Sequence, residues 1–503
     1  MNDNENLFAH FYKNFPTDLS SPLLLTPEGQ NISYAEANSA ASKIANHLKD
    51  LGANKGDRIS VLVEKSVENL FLYLGCLKSG LVYHPMNIGY QVAEISYMLE
   101  DAAPTIIICS KKHRAIVESL PPAKKAKAIL TLEQDGTGTL LEGSSTSSEN
   151  TEISKCDAKD IAALLYSSGT TGKPKGIMLS HKNLSSNAKA LSKAWGFSNE
   201  DRLLHVLPIY HVHGLFIALG PVLLTGASMS WHNRFDVDSV LRSLTECTVM
   251  MGVPTYYTRL LDNPKLDPEY CKNMRVFICG SAPLLPETFK EFEIRTGHTI
   301  LERYGMTETG INTSNPLVGK RIAGSVGQAL PGTKAQIVDD AGKVVRPGET
   351  GNLQVKGDNV FSGYWKMPEK TAEDFTSDGF FNTGDKAIIN KQGYISIVGR
   401  SKDMIISGGL NIYPREIELV IDQIPGIIES AVIGTTDHDF GEKVVAVVAC
   451  KDKSINAAQV IQICKSKLAS FKSPKVVHFV DELPRNAMGK VQKNILRTRY
   501  GDS

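Results

Sequence analysis

Residues 166–176 read YSSGTTGKPKG, directly after the apolar run IAALL at 161–165. Whether they form a slack linker or an anion cradle decides the architecture. The apolar run reads as a buried strand, Ser167 to Gly172 as a loop rich in hydroxyl and backbone donors, and LSHKNLSSNAKALSKAW as a following helix. Gly169 and Gly172 allow close backbone approach to a ligand, and Lys173 and Lys175 add positive charge. The spacing departs from the P-loop: two residues separate the glycines, and Pro174 stands where a metal-binding Ser or Thr belongs. The stretch therefore reads as a phosphate loop of another kind.

Outward from this loop, short β-branched runs alternate with helical stretches: RISVLVE precedes SVENLFLYLGCLKSG, and TIIICS precedes KKHRAIVESL. That alternation predicts parallel sheets covered by helices. Gln134 to Glu152, rich in Gly, Ser and Thr, is expected to be an exposed connection. After Pro331, AQIVDDAGKVVRPGETGNLQVKG alternates in the β manner around turn residues, predicting a small antiparallel unit. Past VGRSKDMIISGG, helix candidates YPREIELVIDQI and AAQVIQICKSKLAS flank strands ESAVIGT and KVVAVVAC. The expectation is an α/β body with a β-rich subdomain at 1–399 and a small α+β lid at 400–503.

The 503 residues require more than one structural unit. With 55 basic and 54 acidic residues, the net charge of +1 gives no footprint for nucleic acid or an anionic membrane surface. No run reaches the ~18 apolar residues of a membrane span. The eight cysteines contain no CxxC pair and read as reduced thiols. With an N-terminus unlike a signal peptide and a YGDS ending unlike a peroxisomal address, the expected location is cytoplasmic.

Further motifs follow in order: GSAPL at 280–284, ERYGMTET at 302–309, NTGDKA at 382–387, VGRSKDMIISGGLNIYP at 398–414 and RNAMGKVQK at 485–493. With YSSGTTGKPKG, this series resembles the signatures of the adenylate-forming superfamily, which includes acyl-CoA synthetases, luciferases and peptide-synthetase adenylation domains. The resemblance covers essentially the whole chain. It implies activation of a carboxylic acid by ATP and Mg2+ to an acyl-adenylate, release of pyrophosphate, and transfer to the thiol of coenzyme A.

The resemblance also implies roles. Ser167, Ser168, Gly169, Thr170, Thr171, Gly172, Lys173 and Lys175 would cradle phosphate. Gly280, Ser281 and Ala282 would line a slot for adenine, with Glu302, Arg303, Tyr304, Gly305 and Met306 beside it and Tyr304 stacking on the ring. Thr307 would bond the α-phosphate, and Glu308, with Thr170 or Thr171, would hold Mg2+. Asp385 would accept the ribose hydroxyls, with Ile397 and Arg400 nearby. Lys490 matches the lysine that neutralises charge during adenylation. Lys402 matches the hinge, and Ser407, Gly408 and Gly409 the passage for the pantetheine arm of CoA.

For the acid, PIYHVHGLF at 208–216 suggests a pocket wall, with His211 a catalytic and substrate-side candidate. Its HxH pair lacks a third ligand at metal-site spacing. Arg275 opens an otherwise apolar strand and needs a partner: either a second carboxylate on the substrate or an internal Asp or Glu. Taken together, LPIYHVHGLF, MGVPTYYTRLL, CGSAPL, ERYGMTETGINTSNP and DELPRNAMGKVQKN look like the malonyl-CoA synthetases. In that subfamily Arg275 would match a residue associated with the distal carboxylate, while Val212 and Met306 would limit substituents on the α-carbon. Arg234 and Arg303 are weaker cationic candidates. Malonate is thus the expected acid, with methylmalonate a further candidate. The alternatives are a medium-chain or aryl acyl-CoA synthetase and a stand-alone adenylation module serving a carrier protein.

Overall fold

Two large sheets built from the apolar runs dominate the computed structural model, which describes every residue except 1–3, 168–173, 408–409, 438–439, 453, 487–488 and 502–503. In the nine-stranded sheet, Ile300–Met306, Val276–Cys279, Val249–Gly252, Arg202–His205, Ser228–Trp231 and Pro22–Leu25 run parallel in that spatial order. Antiparallel strands close both edges. In the seven-stranded sheet, Ile161–Ser167, Val82–Pro85, Arg58–Leu62, Ile106–Cys109 and Ala128–Thr131 form the parallel part. Val276–Cys279 and Ile106–Cys109 are buried at every position, as expected of strands covered on both faces. One continuous apolar core joins elements of both sheets, from Leu23 and Met229 to Ile59 and Ile106.

The opening stretch adopts a different local form from the strand–loop–helix expected. Ile161–Ser167 pairs antiparallel with Lys175–Ser180, and the helix begins only at His181. KGIMLS has a continuous apolar centre, Ile177 to Leu179, that extends the sheet. Ser180 ends it by capping the helix: its side chain accepts from the Asn183 N–H, and Asn183 returns the bond. Ser168 to Lys173 lie outside the described residues, and the flanking strands bring Ser167 opposite Lys175 at the mouth of this hairpin.

A second difference falls in the segment 134–152. Thr139–Ser144 is a short helix that buries Leu140, and Thr131 and Thr139 exchange bonds that fasten it to the neighbouring strand. Leu140, with Leu141 partly buried beside it, anchors the helix in an otherwise polar run.

The β-rich subdomain is an antiparallel sheet ordered Thr333–Val338, Thr350–Gly357, Phe381–Ile389, Ile395–Arg400. Only residues 401–404, including the single turn Ser401–Asp403, connect its last strand to the C-terminal sheet. That sheet is built around the hairpin of Ile427–Asp437 with Gly441–Cys450, and has its own core of Ile405, Ile417, Val432, Ala446 and Val460. The architecture is the large mixed α/β body with a small C-terminal α+β domain expected of the adenylate-forming fold. All eight cysteines are free, and no described helix is long and apolar enough to cross a membrane.

Candidate active site

The parallel strands of the nine-stranded sheet share a carboxyl edge, where open α/β sheets carry their ligands. Three motif segments leave from it. Arg202–His205 leads to His211, Val212 and His213; Val276–Cys279 leads to Gly280, Ser281 and Ala282; Ile300–Met306 leads to Thr307 and Glu308. Ser281 has φ 71°, a left-handed conformation uncommon for a residue with a side chain, and its hydroxyl lies 3.1 Å from Nδ1 of His213.

The nucleotide-side candidates come together from separate sheets. The Tyr304 hydroxyl donates to Asp385 Oδ2, and Arg400, opposite Asp385 in the register, places Nε 3.2 Å from Oδ1. Ile397 packs partly buried two registers away, against the main core. Gly305 follows a register shift after Tyr304, and the Met306 sulfur is 3.9 Å from the Tyr304 hydroxyl. Glu302 is buried, accepts from the Gly324 N–H at 3.2 Å, and is pushed up to about 8 by desolvation. Thr307 is partly buried beside Glu308. Lys175 extends over the Tyr364 ring, 4.8 Å from its centre.

Glu308 is buried, and desolvation raises its carboxyl above the usual range despite Arg400, Lys490 and Lys175 around it. No direct ion pair compensates it among the described residues. A buried carboxylate held near, but not against, cations is the donor chemistry a divalent ion would satisfy, so the residue fits the expected metal role. Among the described residues no group of three His, Cys, Asp or Glu forms a metal cluster by itself.

Lys490 reaches this cleft from the C-terminal domain. Asn486 builds its turn, bonding the Lys490 N–H through Oδ1 at 3.0 Å and donating its own N–H to the Lys490 carbonyl at 2.9 Å. Lys490 is exposed as a residue, and Arg400, Asp385, Glu308 and Arg303 all act on its charge. Desolvation and then Arg400 lower it to about 8, against the opposing pull of Asp385 and Glu308. His211, whose Nδ1 accepts from the His213 N–H at 3.3 Å, is lowered to about 3 by desolvation, then by Lys490 and Arg303, and is neutral at physiological pH.

Lys402 is exposed in the turn between the two sheets, next to Asp403, which Arg497 binds at 2.8 Å. Ser407 pairs with Leu410 in the segment expected to pass pantetheine; Gly408 and Gly409 lie outside the described residues.

Arg275 takes the other partner left open by the sequence. Its Nε and Nη2 bind Asp201 Oδ1 and Oδ2 at 2.7 and 2.9 Å, and Nη1 donates to the Trp195 carbonyl at 2.7 Å. It precedes its strand, on the amino edge, about 16 Å from Gly280 at ~3.3 Å per residue. A guanidinium saturated by an internal carboxylate on the far edge does not serve the substrate. This corrects the expected role of Arg275.

Arg303 has the properties sought in Arg275. It is 5% exposed, and its Nε and Nη2 have no hydrogen-bond partner among the described residues. Gly280 makes room for it: a Cβ there would lie 2.5 Å from the guanidinium carbon. Desolvation lowers its pKa to about 10, leaving it cationic at neutral pH, and its charge is felt by His211, His213 and Lys490. In the sequence Arg303 is the weaker cationic candidate because it stands between Glu302 and Tyr304 in a nucleotide motif.

The fold and this cleft define an adenylate-forming enzyme. The sequence profile of the AMP-binding enzyme matches residues 14–365, and that of the AMP-binding enzyme C-terminal domain matches 416–490. The chain belongs to the AMP-binding enzyme family. It is 33% identical to a malonate–CoA ligase of Arabidopsis thaliana, over 94% of this chain and 86% of that protein. It is also 33% identical to a feruloyl-CoA synthase of Amycolatopsis sp, over 94% and 95%. ATP-bound MatB from Rhodopseudomonas palustris superposes with a TM-score of 0.97 at 48% identity, over 99% of both chains; the apo form of the same protein gives 0.86.

Proposed function

We propose that the protein ligates malonate to coenzyme A at the expense of ATP, forming malonyl-adenylate and pyrophosphate first and the thioester second. The observation that carries this reading is Arg303, a buried guanidinium with two unpartnered nitrogens beside the adenine-slot glycine. Such a group is costly to bury alone, and a carboxylate at the far end of a short acid would compensate it by a paired, charge-assisted contact. Val212, buried in the adjoining wall with Phe216, and Met306 would confine the α-carbon.

The aryl reading has equal sequence identity behind it, through feruloyl-CoA synthase. It offers Arg303 a cation–π face or a neutral phenol oxygen, a weaker compensation than the paired, charge-assisted contact of a carboxylate. This favours the dicarboxylate.

In the first half-reaction Lys490 would neutralise the carboxylate and α-phosphate as they meet, and Thr307 would donate to the α-phosphate. Asp385 would hold the ribose. Glu308, with Thr170 or Thr171, would hold Mg2+, which shields triphosphate charge from the incoming carboxylate. Rotation about Lys402 would then withdraw Lys490 and bring Ser407, Gly408 and Gly409 to the pantetheine arm. The domain boundary near residue 400 belongs to this proposal. The test is pyrophosphate release with malonate against butyrate, a monocarboxylate of similar size. Malonate is expected to be preferred by at least about 10²-fold, the scale of a buried charge pair. Equal rates would contradict the assignment.

A further inference from the structure

Behind the wall that carries His211, Val212 and His213 lies a buried polar chain. Lys65, 7% exposed, directs its ammonium to His205 Nδ1 at 2.8 Å, the His205 carbonyl at 2.9 Å and the His232 carbonyl at 2.6 Å. The Trp231 ring faces the same ammonium, 4.2 Å from its centre. Three acceptors thus surround the three N–H donors of an ammonium, and the aromatic face favours the cation against a desolvation that pulls Lys65 well below the usual lysine range. On its other side, His205 Nε2 lies 2.9 Å from the carbonyl of Gly214. A carbonyl only accepts, so Nε2 carries the hydrogen and Nδ1 is left to accept from Lys65; the lysine selects the tautomer that holds Gly214.

Gly214 is a sensitive point at which to hold the chain. It belongs to the π-helical turn His213–Ala218, a widened helical form often found at functional sites. Any Cβ at Gly214 would stand 2.1 Å from the Pro208 carbonyl, so the start of this turn is wedged against the segment leading into it. The same turn begins with His213, bonded to Ser281, and follows directly on His211 and Val212. A shift of Gly214 therefore moves the acid-side wall, while the ribose pair Tyr304–Asp385 hangs from other strands.

We infer that Lys65 and His205 are positioning residues that set the acid-binding wall through the Gly214 carbonyl. The inference deepens the proposed function and rests on its assignment of His211 and Val212 to the acid side.

Two substitutions at one position test it. In His205→Asn the amide reaches the Nδ1 position, keeping an acceptor for Lys65 while withdrawing the donor from Gly214. In His205→Gln the amide reaches the Nε2 position and keeps that donor. KM for acid and for ATP are measured separately on the full-length protein by pyrophosphate release, with melting temperature alongside. His205→Asn is expected to raise KM for the acid about tenfold, the scale of one lost buried hydrogen bond, with KM for ATP within about twofold of the parent. His205→Gln is expected to restore most of the acid KM, even if its melting temperature falls further. Equal effects of the two variants, parallel rises in both KM values, or loss of folding in both without a selective change would overturn the inference and assign the chain to core stability. Should the parent turn over another acid instead of malonate, the malonate reading fails by itself, and the same comparison is made with that acid.

Discussion

Replacing Arg303 with Met should separate stability from activity in opposite directions. The guanidinium is buried with Nε and Nη2 unpartnered, so in the free protein it contributes little that offsets its desolvation. Met fills similar volume without charge, and the fold should be unchanged or stabilised by about 1–4 kcal/mol, the range seen when buried charge is replaced by apolar groups. The bound substrate gives the contrary effect. Losing one partner of a desolvated carboxylate–guanidinium pair costs about 3–4 kcal/mol, a fall of roughly 10²–10³ in kcat/KM for malonate. Butyrate, without the distal carboxylate, loses nothing and should gain in relative terms. The assay is continuous pyrophosphate release for both acids, with thermal unfolding of parent and variant. A malonate kcat/KM within about fivefold of the parent, in a folded variant, would refute the reasoning.

Four further outcomes follow from named contacts. Lys490→Ala should abolish adenylate formation while sparing thioester formation from supplied malonyl-adenylate; equal loss of both, measured by separate half-reaction assays, would contradict the domain rotation. Because Lys490 is lowered to about 8 and acts as the cation, adenylation kcat/KM should fall as pH rises through that value, and Lys490→Arg should remove the alkaline limb if it retains activity. Arg275→Met should lower unfolding stability by about 2–3 kcal/mol in denaturant titration, by stranding the buried Asp201, with KM for malonate unchanged. Asp201 is held below the usual carboxylate range by Arg275 and Thr248 against desolvation, so the ionised form stabilises the fold above the unfolded value near 4. The advantage of the parent over Asp201→Asn should therefore be constant at neutral pH and shrink as pH falls below about 4.

Much of the architecture could be read from periodicity, because buried parallel strands such as TIIICS and helical runs such as YPREIELVIDQI have distinct apolar spacing. The β-rich subdomain announced itself through turn residues. Where the reading departed from the structure, local signals were balanced: KGIMLS supports either a strand or the approach to a helix, and only pairing with Ile161–Ser167 selects the strand. Leu140 anchors a helix in a run whose average composition is polar.

Site residues inside ordered motifs were legible by resemblance, while the identity of a cation's partner was not. Arg275 just precedes one strand and Arg303 lies within another, and what separates their roles is Asp201, 74 residues before Arg275 in the chain. Lys65 and His205 are 140 residues apart and their link is likewise tertiary. The only trace in the sequence is a lysine closing the apolar run ISVLVEK.

The central claim is that the cleft selects a short dicarboxylate. The most direct measurement is a competition in one vessel: equimolar malonate, hexanoate and ferulate with ATP, Mg2+ and limiting CoA, and the CoA thioesters quantified by mass spectrometry at early times. The account predicts malonyl-CoA as the dominant product. Hexanoyl-CoA or feruloyl-CoA in excess of malonyl-CoA would contradict it.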